Sequence, residues 1–155
     1  MTYKSNDPNN TIAFQGIPGA YSELACLSNF ENMETLSCPS FENMISSVQE
    51  NRAKLAMVPV ENSTAGRVAD IHNLLPESGL YIIGETYFRV NHMLLGVKGA
   101  KLNDLQEVKS HAQGLAQCRD NINKLNLLPI IHPDTAGAAQ EGSELKNKNV
   151  AAIAS

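Results

Sequence analysis

The feature that most constrains this chain is a regular alternation between short apolar runs and longer amphipathic runs. In the first sixty residues the apolar runs lie at Thr11–Gln15, Glu34–Ser37 and Lys54–Val60, and the amphipathic runs at Tyr21–Phe30 and Phe41–Glu50. Strands joined by helices of about ten residues lie parallel, because that length allows a crossover. The order therefore predicts an α/β fold with an open sheet, and in such sheets ligands bind beyond the carboxyl ends of the strands.

The alternation restarts after Gly66. Ile71, Leu74 and Leu75 share one face of a predicted helix over Arg67–Leu75. Pro76 and Gly79 are expected to end that helix. The apolar stretch that follows, Leu80–Val97, predicts one long strand or two joined ones. The rest of the sequence predicts two further helices, over Gln113–Leu125 and from Thr135. It also predicts three strands: one near Val108, one at Pro129–His132 and one at Val150–Ala154.

This pattern predicts two small α/β lobes with a ligand cleft between them. We expect a flexible leader over residues 1–10, a first lobe over 11–65, a second lobe over 66–149, and the start of a return segment toward the first lobe over 150–155.

Composition narrows the function. The chain has 155 residues and a formal net charge of −4 with no basic stripe, so it offers nucleic acid and anionic membranes no electrostatic surface. No window reaches the roughly 18 apolar residues that span a bilayer, and residues 2–10 are too polar for a secretory signal. Cys26, Cys38 and Cys118 are odd in number and widely spaced, which is typical of reduced thiols. We expect a cytoplasmic protein with a small-molecule partner, no nucleic acid and no membrane; a homodimer is left open.

The most informative segment is VPVENSTAGRV, Val58–Val68, in which a predicted strand runs into polar residues and a glycine before a helix. Ser63 or Thr64 could cap that helix, whose free amides and dipole would favour an anion. Taken alone, the turn is equally well interpreted as a plain helix cap.

Three other strand-to-helix junctions have similar chemistry: GIPGAYS at Gly16–Ser22, SHAQ at Ser110–Gln113, and DTAG at Asp134–Gly137. If all four open toward one cleft, their amides and hydroxyls form a pocket for an anion such as a dicarboxylate. Gln113 and Gln117 lie four apart and therefore on one helix face. Taken alone, such a pair is more often a solvated face than a binding site.

Together these segments resemble the prephenate dehydratase family. FQGIPGAYSE, VPVENSTAGRV, SHAQGLAQC, and DTAGAA followed by AAIAS occur in the family's order and approximate spacing over nearly the whole chain. The resemblance implies a two-lobed fold similar to type II periplasmic binding proteins. It also implies conversion of prephenate to phenylpyruvate, water and carbon dioxide, in L-phenylalanine biosynthesis, without metal or cofactor.

The resemblance also implies the site residues. The catalytic candidates are Ser63, Glu61 and Thr135. Glu61 is either an acid, if burial raises its pKa, or a residue of the rim. The substrate-binding candidates share polar or small side chains at the four junctions: Asn62, Thr64, Gly66, Ser22, His111, Gln113 and Gln117.

Some positions depart from the family pattern. Ala112 stands where proline is usual, Gly114 where alanine is common, Glu23 where histidine is frequent, and Arg67 where a small residue is usual. The family also continues beyond the equivalent of Ser155 with a Thr-Arg-Phe signature, whose threonine has a catalytic role, and then usually a phenylalanine-sensing ACT domain. No Thr-Arg pair occurs in this sequence, so we expect weak activity from these 155 residues alone.

The remaining candidates are interpreted as structural. His72, His92 and His132 lack metal-like spacing and are expected to be surface or core residues. Nothing near Cys118 predicts a nucleophilic thiol, and GIPGAYS is not a dinucleotide fingerprint, so no nucleotide cofactor is expected. Two alternatives to the enzyme stay open: a non-catalytic module of the same fold that binds small anions, and an inactive truncated remnant.

Overall fold

The computed structural model describes residues 7–63 and 66–154. It divides the chain into two compact units, one ending at Phe88 and the other beginning at Arg89. The expected division after residue 65 therefore falls too early. The physical reason is the helix at Ala69–Glu77, because Ile71 is 1% exposed and belongs to the core of the first unit. The prediction of an α/β fold with two small units is confirmed.

The first unit is built on a three-stranded parallel sheet in the order β2-β1-β3. Its strands and helices alternate along the chain: β1 (Thr11–Gln15), α1 (Tyr21–Asn29), β2 (Glu34–Cys38), α2 (Phe41–Gln49) and β3 (Leu55–Met57). These follow the sequence prediction closely. β1 reads as a nearly continuous apolar run because it is the central strand and is buried on both faces.

Apolar side chains pack on both faces of this sheet. Ile12 and Phe14 pack with Cys26 of α1 on one face, whereas Ala13 packs with Met44 of α2 and Ile71 on the other. This alternation along β1 follows from the two-residue period of a strand. The first sheet is therefore fixed by helices on both sides, and the ends of its strands are well-defined positions.

After β3 the chain forms a small antiparallel hairpin, β4 (Glu61–Asn62) and β5 (Gly66–Arg67), and then α3 (Ala69–Glu77). Glu61 pairs with Arg67 and Asn62 with Gly66, and the Val68 amide donates to the Val60 carbonyl at 3.0 Å. Pro76 lies inside the last turn of α3, so the helix ends at Glu77, two residues beyond the expected end at Leu75.

The second unit contains a four-stranded mixed sheet in the order β6-β9-β7-β8. Its elements are β6 (Met93–Gly96), β7 (Glu107–Ser110), α4 (Ala112–Gln117), α5 (Arg119–Lys124), β8 (Leu128–Ile131), α6 (Thr135–Leu145) and β9 (Val150–Ala154). β9 is buried along its whole length and pairs antiparallel with β6 and parallel with β7. Val108, Leu115, Ile122 and Ile153 form the centre of this core.

Three predictions for this part of the fold differ from the structure. Residues 150–154 were expected to begin a return toward the first lobe, but they form an inner strand of the second sheet. The one long strand or two joined ones expected over Leu80–Val97 are reduced to β6, because the ladder to β9 begins only at Met93. The single helix expected over Gln113–Leu125 is divided at Cys118, whose ψ of 7° interrupts the helical backbone.

At the other end of the chain, the structure also differs from the leader expected over residues 1–10. Residues 1–6 lie outside the described part, but Pro8–Asn10 form a 3-10 helix. The Asp7 side chain caps it by accepting from the Asn9 amide at 2.9 Å, and the Thr11 hydroxyl donates to the Asp7 carbonyl at 2.8 Å. Residues 7–10 are therefore tied to the start of β1.

Candidate functional site

In the first unit, two of the predicted site segments follow neighbouring strands. β1 and β3 are adjacent and parallel, with Phe14 opposite Met57. The segment Gly16–Ser22 follows β1, and the segment containing Glu61 follows β3. Both therefore leave the carboxyl edge of the same sheet, where open α/β folds bind ligands.

The polar turn after β3 is a hairpin and not a strand-to-helix junction. Ser63 lies in its turn, and α3 begins six residues later behind Val68, which provides no side-chain cap. Ser63 therefore does not cap the helix, and this prediction was wrong. The reason is Gly66, whose φ of +80° turns the chain back into β5 before any helix can start.

The hairpin nevertheless presents the predicted polar side chains together. Glu61 and Ser63 are exposed, Asn62 is half-buried, and Gly66 is exposed. The exposure of Glu61 favours the rim alternative, because an acid role required burial. Thr64 lies outside the described residues.

The start of α1 is stabilised by an internal carboxylate. Glu23 accepts from the Gly19 amide at 2.6 Å and from the Thr35 hydroxyl at 2.8 Å. Ser22 is half-buried in the first turn of the helix. An acidic side chain at a helix start satisfies an amide and complements the dipole, so Glu23 already occupies part of the predicted anion site.

The second unit repeats this arrangement at its own sheet. β7 and β8 are adjacent and parallel, and the His132 amide extends their ladder by donating to the Ser110 carbonyl at 2.8 Å. His111 follows β7 and Thr135 follows β8, so these two predicted residues leave the carboxyl edge of neighbouring strands. The predicted placement at strand ends is thus confirmed within each unit.

Side chains of the chain itself cap both helices at this edge. His111 Nδ1 accepts from the Gln113 amide at 3.3 Å at the start of α4. Asp134 accepts from the Gly137 amide at 2.5 Å at the start of α6. With Glu23 at Gly19, three junctions have an expected anion-binding amide already hydrogen-bonded. Those three amides are therefore not available to an anion in this arrangement.

Gln113 and Gln117 both lie on α4, which confirms their shared helix. Gln113 is exposed, whereas Gln117 is half-buried and its Oε1 lies 2.7 Å from Nε2 of His92. His92 was interpreted as an unremarkable surface or core residue, because a lone histidine before a strand carries no spacing signal. Its pairing with Gln117, 25 positions away, emerges only from the fold.

A polar cluster lies beside α6. Lys109 Nζ donates to Glu141 Oε1 at 2.9 Å, and His132 Nε2 lies 3.6 Å from Glu141 Oε2. The hydrogen bond from Lys109, with the nearby positive charges, holds the pKa of Glu141 below its usual range. His132 Nδ1 also contacts the Asp134 carbonyl at 2.8 Å. This cluster ties β7 and the segment after β8 to α6.

Cys26 and Cys118 are poor nucleophiles. Burial, with the nearby Glu23 charge, raises the pKa of Cys26 to about 12. Burial also raises the pKa of Cys118 above its usual range. Both thiols therefore stay protonated at neutral pH, which supports the interpretation of Cys118 as structural.

The described residues contain neither a membrane-spanning helix nor a cluster of metal ligands. No helix there is long and apolar enough to cross a membrane. No three histidine, cysteine, aspartate or glutamate side chains within residues 7–63 and 66–154 lie together as metal ligands.

Comparison with known proteins gives a consistent result. A family model described as prephenate dehydratase matches residues 12–155. A bifunctional N-acyl-homoserine lactone acylase/prephenate dehydratase from Komagataeibacter europaeus is 49% identical over 144 residues, covering 93% of this chain and 51% of that protein. The chloroplastic arogenate dehydratase/prephenate dehydratase 1 of Arabidopsis thaliana is 43% identical over 150 residues, covering 97% of this chain and 38% of that protein.

Solved structures agree. GqqA, described as a novel type of quorum quenching acylase, superposes with a TM-score of 0.85 at 49% identity, covering 94% of this chain and 53% of that one. Prephenate dehydratase from Arthrobacter aurescens in complex with L-Phe gives a TM-score of 0.86 at 26% identity, covering 94% of this chain and 50% of that one. The chain thus spans about half or less of the length of these relatives.

Proposed function

This chain belongs to the prephenate dehydratase family, and on that basis we propose that it binds prephenate and takes part in its conversion to phenylpyruvate, water and carbon dioxide. The enzyme class is a carbon–oxygen lyase acting in L-phenylalanine biosynthesis. The reaction needs no redox change and no group carrier, so the proposed site uses side chains alone.

One observation carries the proposal. Each unit places its family segments beyond the carboxyl ends of two neighbouring parallel strands, β1 with β3 and β7 with β8. The side chains there are mainly neutral hydrogen-bond donors, among them Ser63, Asn62, Gln117 and Thr135. Such donors suit a substrate that carries two carboxylates and loses one of them.

The chemistry explains why neutral groups suffice. The ring carboxylate leaves as carbon dioxide, its bonding electrons make the ring aromatic, and the para hydroxyl leaves as water after taking a proton. The protein must supply a hydrogen-bonding acid to that hydroxyl and a site that desolvates the carboxylate. Ser63 and Thr135 are proposed to donate hydrogen bonds, and Glu61 to lie at the rim.

The direct test is calorimetric titration of phenylpyruvate into the protein, together with phenylpyruvate release from prephenate near neutral pH. The test variant is Gln113→Leu/Gln117→Leu, which removes two amides from α4. Hydrogen bonds to charged groups are each worth about 1.5–3 kcal/mol, so affinity should fall by roughly a hundredfold or more. Gln140→Leu, an exposed glutamine on α6 bonded to Glu144 at 3.1 Å, is the matched control and should bind normally.

Other outcomes identify the competing functions. Binding of phenylpyruvate without turnover of prephenate would favour the non-catalytic module, and absence of both would favour the inactive remnant. Arogenate and N-acyl-homoserine lactones are assayed beside prephenate, because relatives at 43% and 49% identity carry those activities in their names. If the protein turns over arogenate or an N-acyl-homoserine lactone but not prephenate, that compound replaces prephenate as the proposed substrate.

A further inference from the structure

We propose that His132 is a positioning residue that fixes the peptide group leading into Thr135 at the start of α6. The inference deepens the proposed function and rests on it, because Thr135 is proposed there to donate a hydrogen bond to the substrate. His132 itself is assigned no contact with the substrate. Its effect is transmitted through one hydrogen bond to the backbone, and Glu141 and Lys109 hold its ring in place.

The hydrogen bond defines which ring nitrogen carries the proton. Nδ1 of His132 lies 2.8 Å from the carbonyl oxygen of Asp134. A carbonyl oxygen can only accept, so Nδ1 carries a proton and donates it. The amide of Asp134 also lies 3.3 Å from Nδ1, and that contact would need the opposite tautomer. The 2.8 Å distance is the one of a normal hydrogen bond, so it decides the tautomer.

The bonded carbonyl belongs to the peptide group that joins Asp134 to Thr135. A peptide group is planar, so a fixed carbonyl oxygen also fixes the direction of the Thr135 amide and the position of its Cα. The same oxygen has a second lone pair, which accepts the first helical hydrogen bond of α6, from the Ala138 amide at 3.2 Å. His132 therefore adds a second hydrogen bond at the peptide group from which the side chain of Thr135 extends.

Glu141 holds the other side of the imidazole ring. Its Oε2 lies 3.6 Å from Nε2 of His132, and its Oε1 accepts from Lys109 Nζ at 2.9 Å. The side chains of His132 and Lys109 are 22% and 18% exposed, so solvent screens these contacts only in part. The backbone of Lys109 is fixed within β7, where it pairs with Ile130 of β8 and Ala152 of β9. The ring is thus held at both of its nitrogens.

Packing leaves the ring little freedom. A Cβ on Gly137 would lie 2.8 Å from Cε1 of His132, the carbon between the two ring nitrogens. The imidazole therefore lies directly against the first turn of α6, where a residue without a side chain leaves room for it. Thr135 is half-buried in the same turn. A shift of the ring should therefore shift the turn that carries Thr135.

The test compares two substitutions of equal size at His132. His132→Asn keeps an N–H donor at the position equivalent to Nδ1, whereas His132→Leu has the same branched shape and no donor. One net hydrogen bond corresponds to about twofold to tenfold in affinity, so His132→Leu should weaken phenylpyruvate binding by that factor. His132→Asn should remain within about twofold of the wild-type affinity. His72→Leu, at an exposed histidine on α3, is the matched control and should bind normally.

A double-variant cycle tests whether His132 acts through Thr135. Thr135→Val removes the hydroxyl and keeps the shape of the side chain. Adding His132→Leu in that background should cause no further loss, because the positioned donor is already gone. Additive losses, or unchanged affinity in His132→Leu with an unchanged melting temperature, would overturn the proposal.

A measurement without ligand separates this inference from the proposed function. Nitrogen-15 NMR, at a pH where the imidazole is neutral, should show His132 protonated at Nδ1. The amide nitrogen of Thr135 should shift in His132→Leu and return toward its wild-type position in His132→Asn, because it shares a peptide group with the bonded carbonyl. A proton on Nε2 alone would overturn the positioning role even in a protein that binds phenylpyruvate. Failure of the wild-type protein to bind phenylpyruvate would instead reject the proposed function, while the NMR result would still report on the contact.

Discussion

Two glycines of the same helix provide a sharp test of the geometry at the second unit's sheet edge. Gly137 lies in the first turn of α6 and Gly142 at the start of its last turn. A Cβ on Gly142 would meet nothing within 4 Å. A Cβ on Gly137 would lie 2.8 Å from Asp134 Oδ2 and 2.8 Å from Cε1 of His132. The same substitution to alanine should therefore have opposite effects at the two positions.

The magnitudes follow from three contributions. Alanine is favoured over glycine inside a helix by up to about 1 kcal/mol, which both variants gain. Gly137→Ala should also lose the Asp134 cap, worth about 1 kcal/mol, and should force side chains apart at a cost of about 1–3 kcal/mol. We expect Gly142→Ala to stabilise by about 0.5–1 kcal/mol and Gly137→Ala to destabilise by about 1–3 kcal/mol. At roughly 2–4 °C per kcal/mol, their melting temperatures should differ by about 3–16 °C.

The assay is thermal unfolding followed by circular dichroism, with the cycle completed by Asp134→Ala. Removing Asp134 removes most of the predicted overlap, so Gly137→Ala should cost less in that background. If Gly137→Ala raises the melting temperature as much as Gly142→Ala does, the capping of α6 by Asp134 and the approach of His132 are both incorrect.

Three further outcomes are expected. Since the pKa of Glu141 is depressed in the folded protein, its ion pair with Lys109 stabilises the fold above about pH 4.5, and this stabilisation is lost as the pH falls through the folded pKa. In urea unfolding, Lys109→Met should therefore lose the most stability relative to wild type at neutral pH, and the difference should shrink in acid. The pKa of about 12 for Cys26 predicts slow alkylation by iodoacetamide at pH 8 in the folded protein and rapid alkylation in urea; fast labelling of native Cys26 would contradict its burial. Glu23→Ala should lower the free energy of unfolding by about 1–2 kcal/mol, because it removes the acceptor of the Gly19 amide and the Thr35 hydroxyl. Glu31→Ala, in an exposed turn, is the control and should change that free energy by under about 0.5 kcal/mol.

The sequence predicted the regular parts of the fold well, because their signals are local. β1 and β9 are found at their predicted bounds, since a short apolar run flanked by polar turns leaves little freedom in where a buried strand starts. The apolar face of α3 packs as its spacing predicted, with Ile71, Leu74 and Leu75 against one core. The common edge for His111 and Thr135 followed from the order of elements alone.

The errors came from features that depend on distant partners or on single backbone angles. Leu80–Val97 has strand composition, but a strand needs a neighbour, and only Met93–Gly96 finds one. The hairpin after β3 depends on the positive φ of Gly66, which the sequence does not distinguish from a helix-leading turn. The pairing of His92 with Gln117 could not be predicted, because neither residue carries a local signal for the other.

The position of β9 also determines how the second unit can assemble during synthesis. β6 and β7 are not neighbours in the sheet, since β9 lies between them and contacts both. β6 cannot pair at all, and β7 cannot pair on its second side, until residues 150–154 have left the ribosome. The first sheet, by contrast, has all three strands once Met57 has emerged. The nascent chain should therefore fold from its amino-terminal half onward, and β6 must wait with its backbone unpaired for a strand made more than fifty residues later.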